Sequence, residues 1–311
     1  MYKGKKIAIV VPAYNEAKFI TQVIRDIPPF IDVIVVIDDA SQDSTFKCVK
    51  NVRDPRVIIL RNEVNQGVGG STIKGYRKAI EMESKIIVKV DGDGQMPLDR
   101  LPNLLDAIVE DGYDYAKGNR FLDDNALMQM PKNRLIGNIL LTFFTKMASG
   151  YWHIFDPQNG YTAIDVHTLK VIDLDRIHKC YFFENDMLIQ LNIHNRKVKD
   201  ISMPAIYGQE KSGIRINSIL ITFPRLLLQR FLYRIYQKYV LRDFSPIALF
   251  LGMGSLLLGW GVGFGIYHWI KSILTHVQTS TGTVMLAVLP LILGFQLVLE
   301  ALVLDIHETP R

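Results

Sequence analysis

Two long stretches near the end of the chain contain no charged residue, and they limit the available folds more than any other feature. The first runs from Phe244 to Tyr267 and the second from Thr279 to Leu299. At a helical rise of about 1.5 Å per residue, each can cross a hydrocarbon core about 30 Å thick. The sequence therefore predicts two transmembrane helices. The alternative is a buried helical hairpin of a soluble protein.

The charges that flank these stretches predict the orientation of the chain. Lys271 is the only lysine or arginine between the two stretches, whereas several basic residues precede the first one: Arg225, Arg230, Arg234, Lys238 and Arg242. Because cytoplasmic flanks are rich in lysine and arginine, we expect the N-terminal part and both termini on the cytoplasmic side of the cell membrane. The two cysteines, too few for a disulfide framework, agree with a reducing compartment.

The segment just before the first span predicts an amphipathic helix. Residues 216–241 are apolar on much of the helix circumference, and four of the basic residues recur every fourth position. Such a helix would lie in the lipid headgroup layer, with its cations in water or on anionic lipid. A basic flank that serves topology alone is the alternative.

Ahead of the spans, short apolar segments alternate with amphipathic ones. The apolar, β-branched segments have the lengths of strands: Lys6 to Val11, Val33 to Ile37, Val57 to Leu60, Ile86 to Val90 and Asp114 to Lys117. The amphipathic segments have helical spacing: Glu16 to Asp26, Ser44 to Asn51, Ser71 to Glu83 and Leu98 to Asp111. This alternation predicts an α/β fold, with a Rossmann-like, mostly parallel sheet covered by helices on both faces.

Two aspartates that follow the fourth predicted strand indicate a cation site. Asp91 and Asp93 are separated by Gly92, and alternate residues of an extended segment face the same way. Their hard oxygen ligands suit Mg²⁺ or Mn²⁺, which usually keep several waters and share the phosphates of a substrate. A polar turn is the alternative, because aspartate and glycine are common in turns.

Polar residues also follow the other predicted strands. The segments after the five strands are 12–16, 38–41, 62–70, 91–95 and 118–120. Ligands of parallel sheets bind outside the carboxyl ends of the strands. We therefore expect one crevice able to hold a base, a ribose, a diphosphate and a metal ion.

Four segments, in this order, resemble the family-2 glycosyltransferases of GT-A fold: residues 10–16 (VVPAYNE), 37–45 (IDDASQDST), 65–67 (NQG) and 91–95 (DGDGQ). The subgroup that the chain most resembles is the polyprenyl-phosphate glycosyltransferases, which include dolichol-phosphate mannose synthase and undecaprenyl-phosphate sugar transferases. The resemblance implies a metal-dependent, inverting transfer of a hexose from a UDP- or GDP-sugar to undecaprenyl or dolichyl phosphate at the cytoplasmic membrane face.

The resemblance also implies roles for individual residues. The positions that match nucleoside-binding residues are Pro12, Tyr14, Glu16, Asp39 and Asp91, and those that match metal-binding side chains are Asp93 and Gln95 beside Asp91. Arg120 and Arg134 match arginines that meet phosphate, on the donor or on the lipid acceptor, because their planar forks suit phosphate oxygens. Surface ion pairs are the alternative for both. We expect Asp156 to orient the sugar or an arginine.

The chain departs from the family pattern before the membrane region. Many relatives carry a Ser-Lys pair there, whereas this chain has Lys211 before Ser212. We expect Lys211 and Arg215 to contact the acceptor phosphate, and a solvated linker is the alternative.

The nature of the acceptor decides whether the reaction needs a base. A phosphate monoester, with a second pKa of about 6, is largely dianionic at neutral pH and can attack without losing a proton. Glu184 and Asp186 then either organise the site or form the polar face of a helix. A hydroxyl acceptor would instead need one of them as general base.

We expect four segments in the chain: a cytoplasmic catalytic domain (1–214), a juxtamembrane amphipathic region (215–243), a transmembrane hairpin (244–306) and a cytoplasmic tail (307–311). The first span carries glycines that would permit close helix contacts within the hairpin or in a homo-oligomer: Gly259, Gly261, Gly263 and Gly265. Nucleic acid is not an expected partner. The alternative functions are glycosyl transfer to a hydroxyl, as in polysaccharide or glycolipid synthesis, and a catalytically silent membrane scaffold.

Overall fold

The N-terminal part of the chain folds around a seven-stranded sheet. The computed structural model describes residues 1–122, 132–204 and 216–310. The strands are β1 (Ile7–Ala13), β2 (Val33–Asp38), β3 (Val57–Arg61), β4 (Ile86–Lys89), β5 (Tyr115–Asn119), β6 (Thr162–Asp165) and β7 (Val198–Ser202). Their order is β3-β2-β1-β4-β6-β5-β7. The predicted α/β architecture is confirmed, and β6 and β7 are strands that the sequence analysis did not predict.

All strands except β6 run in the same direction. β1 pairs in parallel with β2 and β4, so that Val10 lies opposite Val35 and Lys89. β6 is antiparallel to both β4 and β5, with Ala163 opposite Val88 and Ala116. The carboxyl ends of β1 to β5 therefore meet at one edge of the sheet, although β6 separates β4 from β5.

Helices cover both faces of the sheet, as predicted. The helices up to residue 235 are α1 (Ile20–Asp26), α2 (Thr45–Lys50), α3 (Gly67–Glu81), α4 (Leu101–Val109), α5 (Lys132–Ser149), α6 (Val166–Val171), α7 (Phe183–Ile193) and α8 (Ile216–Ile235). Alternation along β1 sends Ile7, Ile9 and Val11 into the core beneath α1, α2 and α4, whereas Ala8 and Val10 face the core beneath α3, α6 and α7. Complete burial of β1 and β2 explains why their sequences are continuous apolar runs.

The chain divides into two compact units, residues 1–231 and residues 232–309. The second unit contains a π-helix (Tyr236–Arg242) and two long helices, α9 (Pro246–Thr275) and α10 (Thr281–His307). By length and composition, α9 and α10 can each cross a membrane, with mean hydropathies of 1.8 and 2.3 over their most apolar windows. Only 17% of each window is buried, which does not fit the core helices of a soluble protein.

Small residues bring α9 and α10 into close contact. A Cβ added at Gly254 would lie 2.9 Å from the Gly294 carbonyl oxygen, and one at Gly261 would lie 2.6 Å from Leu291 Cγ. Gly259 and Gly263, by contrast, have nothing within 4 Å of an added Cβ. The contacts within the hairpin therefore use only part of the predicted glycine set.

Two basic residues of the juxtamembrane segment are buried, so the expectation that its cations lie in water or on lipid is wrong for them. Arg234 is fully buried and pairs with Asp305 at 2.6 Å, and Asp305 also accepts a hydrogen bond from the Tyr239 hydroxyl at 2.6 Å. Lys238 is 4% exposed. A buried arginine needs such a partner because losing water is costly for a charge.

Candidate active site

A cavity of about 440 Å³ opens at the carboxyl ends of β1, β2 and β4. This volume is within the range of small-molecule sites. All five residues expected to bind the nucleoside line it, and Asp93 lines it with them: Pro12, Tyr14, Glu16, Asp39, Asp91 and Asp93. The structure thus brings together residues from segments far apart in the sequence.

Asp39 joins the end of β2 to the start of α3. Its carboxylate accepts hydrogen bonds from Asn62 Nδ2 at 2.6 Å and from the N–H groups of Gln66 and Gly67, each at 2.9 Å. Gly67 has a φ of +83°, and an added Cβ would lie 2.6 Å from the Lys179 carbonyl oxygen. Only glycine fits this turn, which places the helix N-terminus at the cavity.

A buried lysine that the sequence analysis missed supports Asp91. The Lys89 ammonium lies 2.7 Å from Asp91 Oδ1 and 3.2 Å from Glu184 Oε1, and its side chain is 1% exposed. An added Cβ at Gly160 would lie 2.5 Å from this ammonium and 2.8 Å from Asp91 Oδ2. A lysine within an otherwise apolar strand was the signal available in the sequence, because a buried lysine requires a charged partner.

The carboxylates of Glu184 and Asp186 contact different groups. Burial raises the pKa of Glu184, although the charge of Lys89 opposes this rise. Asp186 instead pairs with Arg230 of α8 at 2.8 Å and accepts a hydrogen bond from the His178 N–H at 2.8 Å. Burial raises the pKa of Asp186 to about 6. Of the two carboxylates considered as a base, only Glu184 contacts Lys89, whose ammonium also contacts Asp91.

The carboxylates of Asp91 and Asp93 fit a divalent cation by donor chemistry. Both line the cavity, and Asp93 Oδ1 also accepts a hydrogen bond from the Gln95 N–H at 3.0 Å. Within the described ranges, no three His, Cys, Asp or Glu side chains form a set able to hold a metal. An ion here would complete its shell with water and phosphate oxygens, as Mg²⁺ commonly does. Gln95 is not among the residues that line the cavity.

Arg120 and Asp156 form a two-point ion pair beyond the cavity. Arg120 Nε and Nη2 donate to the Asp156 carboxylate at 2.7 and 2.8 Å. Burial opposes the charged form of Asp156, but the hydrogen bonds and charge of Arg120 lower its pKa below the ordinary value. Asp156 therefore contacts an arginine, one of the two contacts expected for it.

Three predicted phosphate-binding residues are not located in detail. Arg134 lies in α5, and its side chain is outside the described part of the structure. Lys211 and Arg215 lie outside the described residues altogether.

Known proteins resemble this chain in sequence. Residues 8–172 match the Glycosyl transferase family 2 model. The UDP-N-acetylglucosamine–dolichyl-phosphate N-acetylglucosaminyltransferase of Methanococcus voltae is 31% identical over 70% of this chain and 92% of the relative. The undecaprenyl-phosphate mannosyltransferase of Micrococcus luteus is 29% identical over 67% of this chain and 86% of the relative.

Solved structures confirm the predicted GT-A fold. Glucosyl-3-phosphoglycerate synthase from Mycobacterium tuberculosis, in complex with Mn²⁺, UDP and glucosyl-3-phosphoglycerate, superposes with a TM-score of 0.55. The match covers 74% of this chain and 80% of the synthase, at 17% sequence identity. At this identity the likeness concerns the fold alone.

Proposed function

The chain belongs to glycosyl transferase family 2, and we propose that it transfers a hexose from a UDP- or GDP-sugar to a polyprenyl phosphate at the cytoplasmic face of the membrane. The observation that carries this proposal is the common cavity lined by Asp39, Asp91 and Asp93 at the ends of parallel strands. Relatives whose names specify dolichyl or undecaprenyl phosphate as acceptor support the lipid substrate. Two helices able to cross a membrane would hold the enzyme beside that lipid.

The residues of the cavity have distinct roles in this proposal. Pro12, Tyr14, Glu16 and Asp39 surround the nucleoside, and Asp91 and Asp93, with Gln95 nearby, would hold Mg²⁺ or Mn²⁺. When bound, the cation stabilises the negative charge that develops on the leaving diphosphate. The Mn²⁺ and UDP of the mycobacterial synthase support this assignment on the same fold.

The acceptor phosphate makes a general base unnecessary. A phosphate monoester is largely dianionic at neutral pH and attacks C1 of the sugar directly, with inversion. Glu184 then acts as an organiser, because its carboxylate is 3.2 Å from the Lys89 ammonium that also binds Asp91. Arg120 and Arg134, with Lys211 and Arg215, are the groups proposed to bind phosphate.

The proposal is tested by following label into lipid. The purified full-length chain is incubated with radiolabelled UDP- and GDP-sugars, undecaprenyl or dolichyl phosphate and Mn²⁺, and the products are extracted with organic solvent. We expect label in the lipid phase, lowered about 100-fold or more by Asp93→Ala and by chelation of the cation, since the cation supplies several kcal/mol of charge stabilisation. Asp99→Ala is the matched control, because Asp99 is a nearby, mostly exposed aspartate.

Three outcomes of this experiment would contradict different parts of the proposal. Unchanged lipid labelling in Asp93→Ala would remove Asp93 from the metal site. Label that enters only a hydroxyl acceptor would replace the lipid phosphate by the alternative substrate class. Binding of nucleotide sugars without transfer to any acceptor would favour the silent scaffold.

A further inference from the structure

A second buried lysine holds the loop that carries Asp156. Lys117 lies in β5 with 1% of its side chain exposed. Its Nζ donates to the carbonyl oxygens of Asp156, Phe155 and Gly118 at 2.6, 3.0 and 3.1 Å. An ammonium has three N–H donors, so these three carbonyls use all of them. Lys117 therefore holds the two peptide groups that flank the Cα of Asp156.

Asp200 of β7 holds the same loop from the adjacent strand. Its Oδ2 accepts hydrogen bonds from the Phe155 N–H at 2.6 Å and from Asn119 Nδ2 at 2.7 Å. Its Oδ1 lies 3.5 Å from Lys117 Nζ. Phe155 is thus bound at its N–H by one side chain and at its carbonyl by another.

The loop held in this way presents Asp156 to Arg120. Asp156 has a φ of +48°, in the left-handed region that aspartate adopts more readily than most residues. Its carboxylate binds both Nε and Nη2 of Arg120, which fixes the plane of the guanidinium. The side chain of Arg120 is still 43% exposed.

The strand order separates Arg120 from the nucleotide cavity. Arg120 follows β5, and β6 lies between β5 and β4, so the distance across the sheet is about two strand spacings, or about 10 Å. Arg120 is not among the residues that line the cavity. This position suits a phosphate that enters beside the donor more than it suits the diphosphate of the donor itself.

We propose that Lys117 and Asp200 are positioning residues for the transfer reaction, which hold Phe155 and Asp156 so that Asp156 directs Arg120 toward the acceptor phosphate. This inference rests on the proposed function, because it assumes a phosphate acceptor. Lys117 and Asp200 lie outside the sequence motifs and do not line the cavity.

The test compares variants of the full-length chain in detergent micelles. Lys117→Met removes the ammonium, and Lys117→Met combined with Asp200→Asn removes both charges so that no buried charge is left unpaired. Lys199→Met is the matched control, because Lys199 lies on the same sheet and makes an exposed ion pair with Asp111. The measurements are kcat/KM for polyprenyl phosphate, KM for the nucleotide sugar, and hydrogen–deuterium exchange of residues 155–160.

We expect kcat/KM for polyprenyl phosphate to fall about 10- to 100-fold in Lys117→Met and in the double variant, since small misplacements of catalytic groups have effects of this size. The KM for the nucleotide sugar should stay at the wild-type value, and deuterium uptake of residues 155–160 should rise. In an Arg120→Lys background, Lys117→Met should cause no further fall, because both changes act through the same guanidinium.

Equal kcat/KM in Lys117→Met and Lys199→Met would overturn the proposal, and so would unchanged deuterium uptake. If Lys117→Met does not fold, the double variant gives the decisive comparison. If the wild-type chain transfers no sugar to lipid phosphate, the proposed function fails by itself. The uptake measurement then still decides whether Lys117 holds the loop.

Discussion

The ammonium of Lys89 lies 2.7 Å from Oδ1 of Asp91, a residue that lines the cavity beside β4. Burial alone would lower the pKa of Lys89, but the charges of Asp91 and Glu184 raise it above the ordinary value. The lysine therefore stays charged and bridges the carboxylate of Asp91, two residues after β4, and that of Glu184 in α7. Gly160 packs against this group, where no larger residue fits without displacement.

Replacing Lys89 by methionine should destabilise the N-terminal unit strongly. Breaking a buried charge pair by removing one partner costs about 3–5 kcal/mol, because the carboxylates that remain lose their counterion. For a domain of this size the Tm should fall by about 10 °C. Thermal unfolding followed by tryptophan fluorescence measures the change, with Lys199→Met as control. A Tm equal to that of the control would show that the pair contributes little.

Alanine substitutions at two glycines of α9 should separate close packing from helix propensity. Gly261→Ala places a Cβ 2.6 Å from Leu291 Cγ, whereas Gly259→Ala has nothing within 4 Å. Overpacking costs about 1–3 kcal/mol, so Gly261→Ala should lower the unfolding temperature in detergent, and Gly259→Ala should leave it unchanged or raise it. The same temperature for both variants would mean that α10 does not pack on α9 at this face.

The pH dependence of stability should reveal the burial of Asp186. Because burial raises its pKa to about 6, the folded state binds the proton more tightly than the unfolded chain, whose aspartate pKa is about 3.9. Its contribution to stability is therefore greatest below pH 4 and decreases as the pH rises to about 6. Asp186→Asn cannot ionise and avoids this decrease.

The measurement is the Tm of wild type and Asp186→Asn between pH 4 and 7. The two values should nearly coincide at pH 4, and the variant should be the more stable one at pH 7. The comparison cancels the effect of His178, whose pKa is lowered by burial and which is present in both proteins. A Tm difference that does not change with pH would contradict a raised pKa for Asp186.

Periodicity and strand ends predicted most of the sheet and its cavity. β1 to β4 are short, largely apolar runs, and the parallel order brings the polar residues after β1, β2 and β4 to one edge. β7 was missed because its sequence, Val-Lys-Asp-Ile-Ser, is charged, and its strand conformation depends on pairing with β5. β6 has only four residues and likewise depends on its two neighbours.

The sequence analysis missed the buried basic residues for one physical reason. Lys89 and Lys117 are lysines, which are seldom buried, and only the three-dimensional arrangement supplies the carboxylates and carbonyls that compensate them. Arg234 was expected in water or on lipid because arginine, too, is seldom buried. It instead forms an ion pair with Asp305, a residue 71 positions away. A lysine in an apolar strand can indicate burial, but no local pattern in the sequence identifies its long-range partner.

The antiparallel strand β6 has a consequence for how such a protein can diversify. Every residue that lines the cavity from β1, β2 and β4 lies before position 94, whereas Arg120 and Asp156 belong to the excursion between β5 and β6. Insertions or exchanges in that excursion can therefore alter the surroundings of Arg120 and Asp156 while the cavity lining from β1, β2 and β4 keeps its register. Under the proposed function, one scaffold would change its acceptor and keep the residues that bind the nucleotide.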